Sequence, residues 1–329
     1  MSSGSAYADA TVLVTGAQGF MGSWLVERLL GDGARVVALR RSADERSRFR
    51  REGLEERCHL VEADLADAPS LLRTLHEYDV RIVFHLGAQT IVGTANRSPL
   101  ETYETNTRGT YNLLEACRLA DGTSASMRVV VASSYHVYGP QGNRAYSEEL
   151  GLRATYPYDV SKACADALTR CYAHTWGLPV AVTRLANVYG GGDLNYTRLV
   201  PDAARALVEG RRPVIRSDGT PGRDYLYVED AVEAYLAVAE SLREPDLGGR
   251  AWNAGQDAPV SVLEVVRRLI SASGREVEPE VQGVAGPRDE IDRQYLDSSA
   301  IREQLGWRPR FGLDEGLRAT YEWYERALA

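Results

Sequence analysis

Tyr158 and Lys162 stand four residues apart in the segment YDVSK at 158–162. On a helix they share a face, and the following ACADALTRCYAHTWG reads as that helix. A free phenol titrates near about 10, too high for a base at neutral pH. Bringing it to about 7 needs roughly 4 kcal/mol. One ammonium about 4 Å away supplies roughly that at an effective dielectric of about 20. Tyr158 can then take the proton from a hydroxyl while hydride leaves the same carbon. Ser134, which follows Ser133 at the end of an apolar run, is the candidate third member, hydrogen-bonding the reacting oxygen. The plainer reading of Ser134 is a satisfied strand-end hydroxyl.

A hydride needs an acceptor, and TGAQGFMG at 15–22 offers a place for one. Gly16, Gly19 and Gly22 lie between a predicted strand, Thr11 to Thr15, and a predicted helix, Phe20 to Leu30. Gly16 permits the tight turn, Gly19 lets the backbone approach a pyrophosphate, and Gly22 allows close helix packing. The N–H groups at Phe20 and Met21 open the helix and carry its partial positive charge. After the second apolar run come Arg40, Arg41 and Ser42 rather than a carboxylate. Arginine forks suit a 2′-phosphate, so NADP is favoured and NAD remains possible. The plainer reading makes both arginines solvated charges. Asp64, followed by Leu65 after the third run, is placed to accept from an adenine amine or to cap a helix.

The elements that must hold these groups follow from apolar runs separated by helix-length segments. Further runs are Arg35 to Leu39, His59 to Ala63, Arg81 to Leu86 and Met127 to Ala132. That alternation predicts βαβ units, a parallel sheet and right-handed crossovers. The fold class is therefore α/β, a doubly wound parallel (Rossmann) sheet. The alternation weakens after residue 186. Gly190 to Pro221 is rich in Gly, Pro, Asn and Asp, and a second irregular stretch covers Gly283 to Arg293. The expected division is a dinucleotide-binding domain over 1–186 and a smaller α/β lobe over 187–329 that completes a cleft. Some of its segments are expected to return to the sheet.

Composition bounds the rest. The 329 residues are 44% hydrophobic and 26% charged, with net charge −8. That is an ordinary globular balance and a poor one for nucleic acid. No stretch reaches the roughly 18 apolar residues of a membrane span, and the first ten residues do not read as a signal peptide. Cys58, Cys117, Cys164 and Cys171 fit neither a zinc site nor a disulfide framework, so no metal is expected. Free thiols in a reducing cytoplasm are.

Several motifs in order now resemble the extended short-chain dehydrogenase/reductases that modify nucleotide sugars. They are VTGAQGFMGSWL at 14–25, VFHLGAQ at 83–89, TNTRGTYNLLEACR at 105–118, SSYHVYG at 133–139 and YPYDVSK at 156–162. TRLANVYGGGDLN at 183–195, RDYLYVEDAV at 223–232 and LGW at 305–307 continue the likeness along nearly the whole chain. The 183–195 and 223–232 segments, with EIDRQYL at 290–296, look most like CDP-glucose 4,6-dehydratases. The Arg-Arg-Ser looks like GDP-mannose 4,6-dehydratase. The resemblance implies that Ala88 and Asn106 line the cofactor's phosphate side. It implies that Asn187 contacts the substrate diphosphate or sugar, and that Arg223 and Arg288 pair with the diphosphate. Gln89 and Tyr135 are further substrate-side candidates. It also implies a homodimer joined by helices around 107–120 and 159–175.

One departure bears on the reaction. Relatives that eliminate water carry Asp-Glu or Asp-Lys just after the Ser or Thr, where this chain has Tyr135 and His136. Tyr135 is a poor substitute for a carboxylic acid. His136 can donate or accept near neutrality; either residue could instead simply pack. The resemblance with this departure points to epimerisation through a transient 4-keto sugar. A 4,6-dehydratase is the alternative, ahead of a decarboxylase, a reductase or a non-catalytic dinucleotide sensor. If a carbon next to the ketone is inverted, His136 is the expected base.

Overall fold

The computed structural model describes residues 6–120, 127–284 and 292–328. Arg288 lies outside them. The five apolar runs form strands β1 (Thr11–Thr15), β2 (Arg35–Arg40), β3 (His59–Glu62), β4 (Ile82–His85) and β5 (Arg128–Ala132). A sixth, β6 (Val180–Leu185), follows the long helix Pro157–Trp176. These six pair in parallel in the order β6-β5-β4-β1-β2-β3. The strand Ala251–Ala254 extends the sheet beyond β6 to make seven. Continuous burial along β1, β4 and β6 is what helices on both faces of a sheet require.

Strand order reverses between β1 and β4, which splays the loops that follow them and opens a crevice at their carboxyl ends. The glycine loop leaves β1 at that point. Leu13, Val37, Val83, Val129 and Val180 form one buried layer with Leu71, Leu113 and Leu114 from the covering helices.

The chain divides into two compact units. One comprises Met1–Gly139, Leu152–Arg184 and Val232–Trp252; the other comprises Pro140–Gly151, Leu185–Ala231 and Asn253–Ala329. In the second, the strand Asn187–Tyr189 pairs in parallel with Tyr225–Tyr227. Gly222–Arg223 lies between Val260–Ser261 and Arg293–Gln294. The Gly- and Pro-rich stretch 190–221 is not wholly irregular. LVPDAARALV folds as the helix Leu199–Val208, whose apolar residues are spaced to bury one side. Among the described residues no helix is long and apolar enough to cross a membrane.

Candidate active site

The glycine loop has the conformation its residues permit. Gly16 adopts φ +70°, a left-handed angle that favours glycine. A Cβ on Gly16 would lie 2.8 Å from the Gly87 nitrogen, and one on Gly22 would lie 2.1 Å from the Gly16 oxygen. The helix Phe20–Gly31 starts behind Gly19, which provides no side-chain cap. Its first-turn N–H groups therefore receive no side-chain oxygen from the N-cap position. A close backbone approach and an uncapped helix N-terminus fit a dinucleotide pyrophosphate.

Behind the loop sits a buried hydrogen-bonded chain. His85 Nδ1 is 2.8 Å from Thr15 Oγ1, and His85 Nε2 is 3.0 Å from Thr110 Oγ1. Thr15 Oγ1 also accepts from the Gly87 N–H at 3.0 Å. Burial, with the nearby Lys162 charge, pushes the His85 pKa down to about 3. It therefore acts as a neutral brace between β1, β4 and the helix Gly109–Ala120.

The other cofactor-side candidates are placed as follows. Arg40 holds Glu55 at 2.5 Å and Glu62 at 2.9 Å, whereas Arg41 is exposed. Gln18 ties the loop after β2 to the glycine loop through the Ser42 carbonyl and the Asp44 N–H. Asp64 accepts from the Ala66 N–H at 2.8 Å, and the following helix is capped by Asp67 instead. Leu65 is buried, and Ala88 is half-buried. Asn106 sits in a single π-helical turn, Glu104–Arg108, a distortion that recurs at functional sites. Its amide accepts from the Gln89 N–H at 2.7 Å and donates to the Gln89 carbonyl and Ser161 Oγ, each at 2.9 Å. That clamps the loop after β4 to the helix carrying Tyr158. The Gln89 side chain bonds Ile91 and Thr102, both in its own neighbourhood.

The predicted catalytic residues come from two segments. Ser134 follows β5 by two residues and caps the 3₁₀ turn Tyr135–Tyr138, its Oγ accepting from the His136 N–H at 3.3 Å. Tyr158 and Lys162 lie on the first turns of the helix Pro157–Trp176, with the Tyr158 side chain nearly buried. Lys162 Nζ reaches back to the Ala132 carbonyl at 2.8 Å, joining that helix to the end of β5. The His136 and Tyr158 rings meet edge-on, with centroids 6.1 Å apart. Tyr135 is buried against the His136 ring at 4.7 Å. Sequence reasoning passed over Asp159. Its carboxylate is 3.4 Å from His136 Nδ1, a contact between residues 23 positions apart. The only signal was an acid beside the tyrosine in YDVSK.

Burial pushes the Lys162 ammonium down to about 8 from an ordinary 10.5. Between those values the unfolded chain binds a proton that the folded state has lost. Stability therefore rises with pH across the window. Relative to Lys162→Met, the wild type should gain about 2–3 kcal/mol from pH 8 to pH 10. Urea unfolding of both proteins at intervals across that range reads the difference. A constant difference would place the amine in water.

In the second unit, pairing sets Asn187 opposite Tyr225, two residues beyond Arg223. The intervening Asp224 is fully buried and accepts from the N–H groups of Gln256 at 2.9 Å, Asp257 at 3.2 Å and Leu296 at 3.3 Å. Burial pushes its carboxyl up to about 7, against those donors. Arg223 donates to the Gly222 carbonyl at 2.9 Å. Among the described residues no group of three or more His, Cys, Asp or Glu side chains could hold a metal ion.

Comparison with known proteins gives a consistent result. A family model described as GDP-mannose 4,6 dehydratase matches residues 13–320. A UDP-glucose 4-epimerase of Mycolicibacterium smegmatis is 34% identical over 322 residues, covering 95% of this chain and 97% of that protein. Among solved structures, the UDP-glucose 4-epimerase of Thermotoga maritima with UDP-glucose has a TM-score of 0.86 at 26% identity, covering 97% of this chain and 100% of that one. The dTDP-glucose 4,6-dehydratase of Streptomyces venezuelae, solved with NAD bound, has a TM-score of 0.83 at 28% identity, covering 96% and 97%.

Proposed function

The chain belongs to the GDP-mannose 4,6-dehydratase family, and from that premise we propose that it is an NAD(P)-dependent epimerase of nucleotide-diphosphate sugars. It acts through a transient 4-keto sugar. The observation that carries this reading is a serine, tyrosine and lysine at the end of β5 and the start of the next helix, with no carboxylic acid at 135 or 136. Elimination of water needs both a base for the C5 proton and an acid for the departing hydroxyl, and 135 and 136 hold no carboxylic acid for the second task; oxidation and return at C4 need neither.

In this reading Tyr158 takes the sugar's O4 proton, and the Lys162 charge lowers the cost of the phenolate. Ser134 donates a hydrogen bond to the same oxygen. The glycines at 16, 19 and 22, the N–H groups at Phe20 and Met21, and Asp64, Leu65, Ala88 and Asn106 hold the dinucleotide. When bound, it supplies a reversible hydride acceptor for the sugar's C4. Arg223 and Arg288 pair with the substrate diphosphate, while Asn187, Gln89 and Tyr135 position the sugar. Exposed Tyr111 and Leu119 suit a homodimer through 107–120 and 159–175. The dimer is proposed to work in the cytoplasm, and light scattering reads its mass.

The preference proposed for NADP rests on Arg41 and Ser42, because Arg40 is engaged by two glutamates. Arg41→Ala should weaken NADP binding about ten-fold and leave NAD within about two-fold, since only the former presents a phosphate to the guanidinium. Titration calorimetry measures both. An equal effect on the two would return the preference to NAD.

UDP-, dTDP-, CDP- and GDP-glucose deuterated at C4 test the main reading. An epimerase returns the label to the inverted sugar, with no net reduced cofactor. Release of a 4-keto-6-deoxy sugar would establish the dehydratase instead. Recovery of each starting sugar unchanged at C4 and C6 would refute both.

A further inference from the structure

We infer that Asp159 is a positioning residue for His136, and that the two form a second proton-transfer centre beside Tyr158, acting on a carbon-bound hydrogen next to the sugar's 4-keto group. This deepens the reading above and rests on formation of that ketone.

The argument starts from the placement of the two side chains. His136 belongs to the short turn capped by Ser134. Asp159 belongs to the first turn of the helix that carries Tyr158 and Lys162. His136 Nδ1 stands 3.4 Å from the Asp159 carboxylate; the carboxylate is 11% exposed and the imidazole 37%. In a neutral imidazole, a carboxylate facing Nδ1 favours the proton there and leaves Nε2 as the acceptor, and the carboxylate fixes both ring orientation and tautomer. Contacts of this kind are often long in a ligand-free site and tighten around substrate. Tyr135 packs against the same ring, and Tyr158 lies at its edge. The ring is thus held on three sides with part of it still open.

Inversion at C4 requires only that a proton leave and return at O4, which is the task assigned to Tyr158. A second base beside it has a use once C4 is a ketone, because the neighbouring C–H bonds are then acidified. His136 Nε2 takes that proton. The C–H electron pair becomes the C=C bond, and the carbonyl π pair moves to O4, where Ser134 donates a hydrogen bond. The imidazolium exchanges with solvent and returns a proton to the same carbon from the face His136 occupies. No oxidant is consumed. The plainer account makes Asp159 a favourable charge in the first helical turn and His136 a packing partner of Tyr135. It predicts no effect of either residue on carbon-bound hydrogen.

UDP-4-keto-6-deoxy-D-glucose, given to the NAD-loaded protein in heavy water, presents the ketone directly and bypasses oxidation at C4. Proton NMR should show wild-type washout at C3 or C5, well above the protein-free rate. His136→Asn should slow it by about 100-fold or more. Asp159→Asn should slow it by about ten-fold or more, and Asp159→Glu should recover part of the loss. Nitrogen-15 spectra of histidine-labelled protein without sugar supply a readout independent of turnover. His136 should be the Nδ1–H tautomer in the wild type and a mixture in Asp159→Asn. Absent wild-type washout, washout indifferent to both substitutions, or an unchanged tautomer would each overturn the assignment. Failure of the C4-deuterium experiment alone would remove the epimerase reading and leave this arm to report on the pair.

Discussion

Tyr158→Phe should lower kcat by about 10²–10⁴-fold while KM for the nucleotide sugar stays within about two-fold. The substitution removes one oxygen and leaves the ring, which is nearly buried at the start of the helix Pro157–Trp176. The hydroxyl matters to the proposed reaction when the O4 proton moves, so its loss falls on the transition state rather than on ground-state binding. The unfolding midpoint should remain close to wild type, because bonds that do not involve the phenol hold this turn: Val160 N–H to the Tyr156 carbonyl at 2.8 Å, and Ser161 Oγ to the Tyr158 carbonyl at 2.6 Å. Steady-state kinetics with a titration of sugar separates the two constants. Full turnover in Tyr158→Phe would remove this residue as the base. A rise in KM with kcat intact would make it a binding group.

The largest stability effect is expected at Arg184. Its side chain is 1% exposed, and it grips a fully buried Asp166 with two parallel bonds, Nε to Oδ2 at 2.8 Å and Nη2 to Oδ1 at 2.9 Å. The remaining nitrogen, Nη1, donates to Tyr138 Oη at 2.9 Å. Arg184→Met strands a buried carboxylate, and breaking such a pair costs about 3–5 kcal/mol. Replacing both charges, as in Arg184→Met with Asp166→Leu, should recover most of that loss. Urea unfolding of the two single variants and the double variant gives the coupling energy directly. Additive losses would show that the pair is not the source of the effect.

This ion pair also bears on the proposed chemistry. Asp166 lies one turn beyond Lys162 on the same helix face, and Tyr138 closes the turn that begins after Ser134. Arg184 on β6 therefore joins the two segments that present Ser134, His136, Tyr158 and Lys162. The double variant, though refolded, should keep a reduced kcat, because apolar side chains do not fix direction as a bidentate bond does. Recovery of both stability and kcat would limit the network to stability.

What the sequence alone determined depends on neighbours close in the chain. Glycines at 16, 19 and 22 between an apolar run and a helical pattern dictate a turn that few other residues could make. Alternating runs dictate a doubly wound sheet, because parallel strands need crossovers of helix length. Tyr158 and Lys162 share a face by helical geometry alone. The tertiary structure decided what depends on distant neighbours. Arg40 looked available for a phosphate until Glu55 and Glu62 closed around it. Asn106 and Gln89 became a mutual clamp. The strand Ala251–Ala254 joined β6 from far along the chain, and Asp159 met His136. Periodicity and spacing act over a few residues, so a string of letters records them. Which buried charge finds which partner is set by packing between segments, and composition and periodicity do not encode that choice.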